Sequence, residues 1–240
     1  MDKDAIRERI WDALEESGVA RFPFPPHDRI PNFEGAERAA ERLAETDAWV
    51  AAETVKANPD APQLPVRRRA LHEGKTVFMA VPRLRDEECF LELDPDRIGG
   101  SEALEKAATV SRARDHARQV GPADVPPVDL IVAGSVAVSE SGDRIGKGEG
   151  YSDLEYAILA EAGLVDSETT VVTTVHEMQV VADDWRSETY DVPMDLVVTP
   201  ERVIRTDRRG DRPSGIDWDV LEEGRIEEIP VLERLRGGGG

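Results

Sequence analysis

Val128-Asp-Leu-Ile-Val-Ala-Gly-Ser-Val-Ala-Val138, followed by Ser139-Glu-Ser-Gly-Asp-Arg-Ile-Gly-Lys-Gly-Glu-Gly-Tyr-Ser-Asp153, is the stretch that decides the fold. The first part is almost continuously apolar, as a strand buried on both faces of a sheet must be. The second is a glycine-rich loop, and Asp153 to Ala162 after it reads as a helix. Strand, glycine loop and helix in that order form the repeating unit of a parallel sheet with crossover helices.

Working outward, Thr169 to Val175, Asp195 to Thr199 and Thr76 to Val81 are further apolar β runs. Ile6, Ile10, Trp11 and Leu14 give residues 3–17 one apolar helical face, which Gly18 can close. An Ala- and Glu-rich helix is expected over 35–56. Another runs over 64–71, entered through Pro62. Between the first two helices, Phe22-Pro-Phe-Pro-Pro-His-Asp-Arg-Ile-Pro31 carries four prolines, which impose an extended loop. Residues 83–128 are charged and irregular, with one expected helix near Ser101–Thr109. The expected architecture is a three-layer α/β domain over residues 1–206, mainly parallel, with helices on both faces. Residues 207–240 form a C-terminal extension. In it, 215–221 and 229–232 pack back on the sheet, and the glycines 237–240 are disordered.

Of the 240 residues, 40% are hydrophobic and 5% aromatic, so a sizeable core must be built mostly from aliphatic side chains. No apolar run approaches the roughly 20 residues of a membrane span. The charged N-terminus lacks the apolar stretch of a signal peptide, so a cytoplasmic protein is expected. Cys89 is the only cysteine, which excludes an intrachain disulfide and any multi-cysteine zinc site. The net charge of −20, from 50 acids against 30 bases, opposes binding to nucleic acid or to an anionic membrane. The acids are spread along the chain, the pattern of a solvated shell suited to a salt-rich cytoplasm.

In the loop, Gly146, Gly148 and Gly150 alternate with other residues, at the carboxyl end of a buried strand and the start of a helix. Glycine lets backbone approach a ligand closely. A helix N-terminus favours phosphate, and Arg144 and Lys147 add positive charge. No Gly-Lys-Ser/Thr lies at the spacing of a Walker loop, and the last glycine comes one residue early for a dinucleotide fingerprint. On spacing alone the loop is read equally as a phosphate cradle or as a tight connection with solvated charges.

Arg144-Ile-Gly-Lys-Gly-Glu-Gly-Tyr-Ser-Asp153 resembles the signature of the 5-formyltetrahydrofolate cyclo-ligases (methenyltetrahydrofolate synthetases), Arg-Leu-Gly-x-Gly-x-Gly-Tyr-Tyr-Asp. The resemblance extends over roughly residues 3–206. It takes in Lys3 and Arg7, Asp60 upstream of Gly74-Lys75 in place of a family Glu, Gln179, and Asp191. It is closer still to the divergent methenyltetrahydrofolate synthetase domain-containing branch. Arg29-Ile-Pro-Asn-Phe33, Gly134-Ser-Val-Ala-Val-Ser139 and Gly148-Glu-Gly-Tyr-Ser-Asp-Leu-Glu-Tyr-Ala157 carry that closeness. With the acidic composition, it points to a halophilic archaeon as the source.

The resemblance implies a cyclo-ligase-like fold, of the NagB/RpiA/CoA-transferase-like kind. It implies an ATP- and Mg²⁺-dependent conversion of 5-formyltetrahydrofolate to 5,10-methenyltetrahydrofolate through phosphorylation of the formyl oxygen. It assigns ATP to Lys3, Arg7, Arg144, Gly146, Lys147, Gly148 and Gly150. It assigns the reduced folate to Asp60, Gly148, Glu149 and Tyr151, and Mg²⁺ to Asp153 and Asp191. Lys147 and Tyr151 lie nearest the chemistry. By residue type alone, Lys3 and Arg7 read first as a pair of solvated helix charges, and Asp153 as an N-cap. His176 and Glu177, after a strand, are further candidates to line the pocket, although a capping role suits His176 as well.

The sequence departs from the family pattern at three places: Ser152 replaces a second Tyr, Val138-Ser139 replaces Phe-Asp, and Asp60 replaces Glu. The nucleotide half is intact and the folate half altered. Two other classes of function therefore stand beside the ligase. One is a nucleotide-binding paralogue acting on another small molecule, a thiamine-related compound among the candidates. The other is a non-catalytic binding module.

Overall fold

Leu130–Ala133 is a central strand of an eight-stranded sheet in the computed structural model, which describes residues 2–207 and 211–237. The sheet strands, in chain order, are β1 (Thr54–Ala57), β2 (Thr76–Ala80), β3 (Phe90–Leu93), β4 (Arg118–Val120), β5 (Leu130–Ala133), β6 (Thr170–Thr174), β7 (Leu196–Val198) and β8 (Val203–Arg205). Their order across the sheet is β8-β7-β6-β5-β1-β2-β3-β4. The five strands from β7 to β2 are parallel, while β8 closes one edge and β3 and β4 the other, all antiparallel. Every position of β1 and β5 is buried, as strands covered on both faces require. Helices pack around the sheet. They include α1 (Lys3–Glu16), α2 (Ala36–Ala44), α3 (Leu64–His72) and α4 (Tyr151–Glu161).

The strand order has one consequence for function. From β1 the chain runs outward through β2 and β3 to β4, then returns to β5 and runs the other way. Neighbours β1 and β5, paired Val55 to Leu130 and Ala57 to Val132, therefore send their connections in opposite directions. Such a switch point leaves a crevice outside the carboxyl ends of the strands.

Several segments differ from the reading of the sequence. The apolar run 128–138 is not one strand. After Ala133 the chain leaves the sheet, and Ala137–Val138 forms a two-residue hairpin with Arg144–Ile145. The break falls at Gly134, where a Cβ would stand 3.0 Å from both Asp60 Oδ2 and Ile30. Any side chain there would force Asp60 or Ile30 to shift. The long helix over 35–56 is three elements: α2, a short helix Asp47–Ala51 capped by Thr46, and β1. Residues 83–128 hold β3 and β4 with the helices Ser101–Ala107 and Val110–His116. Gly100, not Ser101, caps the first of these helices, without a side-chain bond. Helix α4 begins at Tyr151 with Gly150 as its cap, so Asp153 is a first-turn residue rather than the N-cap.

The C-terminal segment folds onto the main core. Ile216, Ile226, Ile229, Val231 and Leu232 are buried in it, and the helices Glu223–Glu228 and Pro230–Gly237 carry three of them. The glycines 238–240, within the expected disordered tail, lie outside the described residues.

Candidate functional site

Three short segments leave the carboxyl ends of the strands at the switch point: Asn58-Pro59-Asp60 after β1, Gly134-Ser135 after β5, and Val81-Pro82-Arg83 after β2. With the glycine loop and the first turn of α4 they enclose a cavity of about 400 Å³. Asp60, Arg144, Gly146, Lys147, Glu149, Gly150, Tyr151, Ser152 and Asp153 all line it. Lys3, Arg7, Gly148 and Asp191 are not among the lining residues; Arg7 contacts the same loop, and Lys3 and Asp191 pair with each other. Arg7 Nε donates to the Gly146 carbonyl at 2.7 Å, and its guanidinium borders Gly148. Lys3 Nζ donates to Asp191 Oδ2 at 2.6 Å.

The loop is held from beneath by Arg144. Its side chain is 5% exposed. Its Nη1 donates to Gly134 O at 2.8 Å and its Nη2 to Asp153 Oδ2 at 2.5 Å. Burial disfavours its charge, but Asp153, Asp191 and Asp60 more than restore it, and its pKa is raised. Arg144 is therefore the brace between β5 and α4 rather than a free cation. Asp153 is engaged at both oxygens, since its Oδ1 accepts from the Val192 N–H at 3.1 Å. Asp191 Oδ2 accepts from the Glu188 N–H as well as from Lys3. Among the described residues, Lys147 forms its ion pair with the exposed Glu149, at 2.6 Å. A surface pair of this kind is weak, and Lys147 can exchange it for a ligand. Gly148, at φ +107°, and Gly150, at +69°, take left-handed backbone that other residues rarely adopt. The N–H groups of Tyr151, Ser152 and Asp153 lie in the first turn of α4, where no intrahelical acceptor exists.

The floor of the cavity is a buried charge network. Glu155, one turn into α4, lines it and pairs with Lys56 of β1, whose Nζ also donates to Asn58 Oδ1 at 2.7 Å. Their side chains are 7% and 1% exposed. The Asn58–Asp60 turn is fixed by Arg67 of α3, fully buried and donating to the carbonyls of Asn58, Asp60 and Ala108. Without a carboxylate in hydrogen-bond contact, burial pulls the Arg67 guanidinium down to about 10. Burial pushes the Asp60 carboxyl above the usual range, with Lys147, Arg67 and Lys56 opposing the shift.

The match to the 5-formyltetrahydrofolate cyclo-ligase family covers residues 1–200. The chain belongs to that family.

Among curated relatives, the methenyltetrahydrofolate synthase domain-containing proteins of Bos taurus and Mus musculus are 44% and 45% identical over 237 residues, or 98% of the chain. The chain spans 62% and 63% of their lengths. The solved 5,10-methenyltetrahydrofolate synthetase of Aquifex aeolicus superposes with a TM-score of 0.53 at 18% identity. That superposition takes in 92% of this chain and all of the other, and it supports a cyclo-ligase fold. These relatives lend no support to a halophilic archaeal source.

Against the cyclo-ligase pattern, Ser152 lines the cavity where the family has a second Tyr. Ser139 lies elsewhere, in the hairpin turn, where its hydroxyl accepts from the Asp143 N–H at 3.0 Å. His176 caps the turn Glu177–Gln179, accepting from the Met178 N–H at 3.2 Å, and Glu177 pairs with Arg202. Neither lines the cavity. Gln179 is buried and donates to Ser135 O at 2.9 Å, fixing the segment that leaves β5.

Lys56, Glu155 and Arg67 were not anticipated. Glu155 stands within the quoted motif, but its partner is 99 positions away. Lys56 is hidden in a segment that reads as helix. Arg225 was also missed: its guanidinium carbon lies 4.2 Å from the Tyr151 ring centroid, and it donates to Glu149 O at 2.6 Å.

Proposed function

We propose that this chain carries out the ATP- and Mg²⁺-dependent cyclisation of 5-formyltetrahydrofolate to 5,10-methenyltetrahydrofolate at the switch-point cavity. One observation carries the proposal. The carboxyl ends of β1 and β5, the glycine loop and the N-terminus of α4 converge on one space, which Lys147, Tyr151 and Asp60 line.

The donor set fits a polyphosphate. Lys147 and Arg7 are paired to the exposed side chains of Glu149 and Asp4, and the first-turn amides of α4 open on the cavity wall. The fit to a metal is narrower. Among the described residues no group of three His, Cys, Asp or Glu is placed to hold an ion. With Asp153 committed to Arg144 and Val192, Mg²⁺ would depend on phosphate oxygens, and Asp191 Oδ1 is the carboxylate oxygen left for it. Bound ATP supplies the phosphoryl group that activates the formyl oxygen.

The protein's part is positioning and charge neutralisation, on which phosphoryl transfer mostly relies. Lys147 faces the developing phosphate charge and holds the formyl oxygen in line. Tyr151, its ring fixed by Arg225, forms a wall beside the reacting carbon. Asp60 accepts hydrogen bonds from the N–H groups of the reduced ring system. Arg67 keeps that carboxylate in place through the backbone. The reaction balances as the formyl C=O oxygen leaves with phosphate and N10 forms the new C–N bond.

Labelling tests this directly. With ¹⁸O in the formyl group, the label should appear in inorganic phosphate. Unlabelled phosphate alongside methenyl product would exclude the route.

A further inference from the structure

The glycine loop is held at its base by two arginines and at its tip by a third. Arg144 ties the base to Gly134 O and Asp153, and Arg7 reaches the Gly146 carbonyl. The tip, residues 148–150, is held by Arg225, which donates to Glu149 O at 2.6 Å. Among the described residues, no other side chain from outside the loop donates to a backbone carbonyl of this tip. Gly148 and Gly150 flank Glu149 with left-handed backbone, so the tip has little stiffness of its own. Lys147 stands immediately before it and Tyr151 immediately after it. Whatever fixes the tip therefore sets both groups. Arg225 also holds Tyr151 directly, its guanidinium stacked 4.2 Å from the ring centroid.

Arg225 can act as a fixed point because its own segment is anchored on both sides. Upstream, Arg212 is 5% exposed, pairs with Asp195 and donates to Thr169 O at 2.6 Å. The Ile216 N–H donates to Glu161 Oε2 at 3.0 Å, at the far end of α4. Downstream, Ile226, Ile229, Val231 and Leu232 are buried in the main core. The segment is thus a strap that passes α4 and delivers Arg225 to the loop. The family match ends at residue 200, so the strap is built outside it. The alignment with the mammalian relatives, by contrast, takes in 98% of the chain.

We infer that Arg225 is a positioning residue, which locks the loop tip and the Tyr151 ring, so that the site is complete only with the C-terminal segment 211–237 in place. Its effect on turnover rests on the proposed function; its effect on the loop does not.

Arg225→Ala in the full chain tests this. The control is Arg236→Ala, which breaks an exposed pair with Glu223 in the same segment. The first readout is limited digestion by a glutamate-specific endoprotease, followed by mass spectrometry. Cleavage of the Glu149–Gly150 bond reports opening of the tip. Arg225→Ala should raise it at least about tenfold relative to the other glutamyl bonds. Millimolar guanidinium ion should refill the space over Tyr151 and restore protection, and Arg236→Ala should match wild type. The second readout is steady-state methenyl formation. Arg225→Ala should lower kcat at least about tenfold, with KM for 5-formyltetrahydrofolate within about threefold of wild type. Guanidinium should recover part of that loss. Should Arg225→Ala not fold, Arg225→Lys replaces it, since lysine keeps the charge but loses the flat fork. Unchanged cleavage after Glu149 overturns the inference, as does cleavage raised equally at every glutamyl bond. An unchanged kcat in an active protein also overturns it. Selective cleavage that guanidinium reverses, in a protein whose wild type forms no methenyl product, upholds the lock and overturns the proposed function alone.

Discussion

Glu155→Gln should cost about 3–5 kcal/mol of stability, because it strips a buried cation of its counter-charge. The Lys56 side chain is 1% exposed, and its Nζ has two partners, Glu155 and Asn58. With glutamine at 155 the ammonium keeps only neutral acceptors in a space that excludes water. A chain of this size has about 5–15 kcal/mol in total, so the substitution consumes a large share. Lys56→Met is the informative converse. Glu155 is then left beside Asp60 and Asp153, which together with burial already push its carboxyl upward. It takes a proton in the folded state, while the unfolded chain ionises normally. The cost therefore grows as pH rises above the ordinary carboxylate range. The double variant Lys56→Met with Glu155→Leu removes both charges and should cost far less than the sum, with coupling of at least about 2 kcal/mol. Urea unfolding at fixed KCl, for wild type, both singles and the double, supplies the cycle. A Glu155→Gln cost below about 1 kcal/mol, the value of a surface pair, or a double variant equal to the sum, would refute a buried network under the site.

Three further outcomes follow from the same geometry. Mg-ATP at about 100 times its dissociation constant should stabilise wild type by roughly 2.7 kcal/mol, and Lys147→Ala should remove most of it in a thermal-shift assay. Equal shifts would contradict the role of Lys147. Arg144→Ala is a poor substitute, since it also removes the brace to Gly134 and Asp153. Asp60 has a folded pKa raised above 3.8, so the folded state holds its proton more tightly and stability falls as pH rises through that window. Asp60→Asn should therefore gain stability relative to wild type as pH rises above the ordinary carboxylate range, and parallel urea midpoints would oppose this. Buried Cys89, its thiol pushed up to about 12 by desolvation, should resist a thiol reagent until denaturant is added. Rapid labelling of the native protein would contradict its burial.

The parallel sheet was legible because β2, β5, β6 and β7 are short apolar runs bounded by turn residues. The glycine loop was legible because its spacing, charges and position before a helix agree with one another. What escaped depends on contacts distant in sequence. Strand β1 was hidden because Ala and Glu upstream continue a helical pattern and Lys56 reads as exposed. Its burial follows from Glu155, far along the chain. The pairing of Lys3 with Asp191, and the use of both Asp153 oxygens by Arg144 and Val192, turned several expected ligand contacts into internal bonds. The cavity itself arises from strand order, since only the return of the chain to β5 beside β1 brings Asp60 to the loop. The stacking of Arg225 on Tyr151 had no signal in the sequence.

The central claim is most directly tested by incubating purified protein with 5-formyltetrahydrofolate and following the absorbance of the methenyl product. Parallel reactions omit ATP or remove Mg²⁺ with a chelator. Methenyl formation only when both are present is the predicted result. Folded protein that binds Mg-ATP yet forms no methenyl product would contradict it.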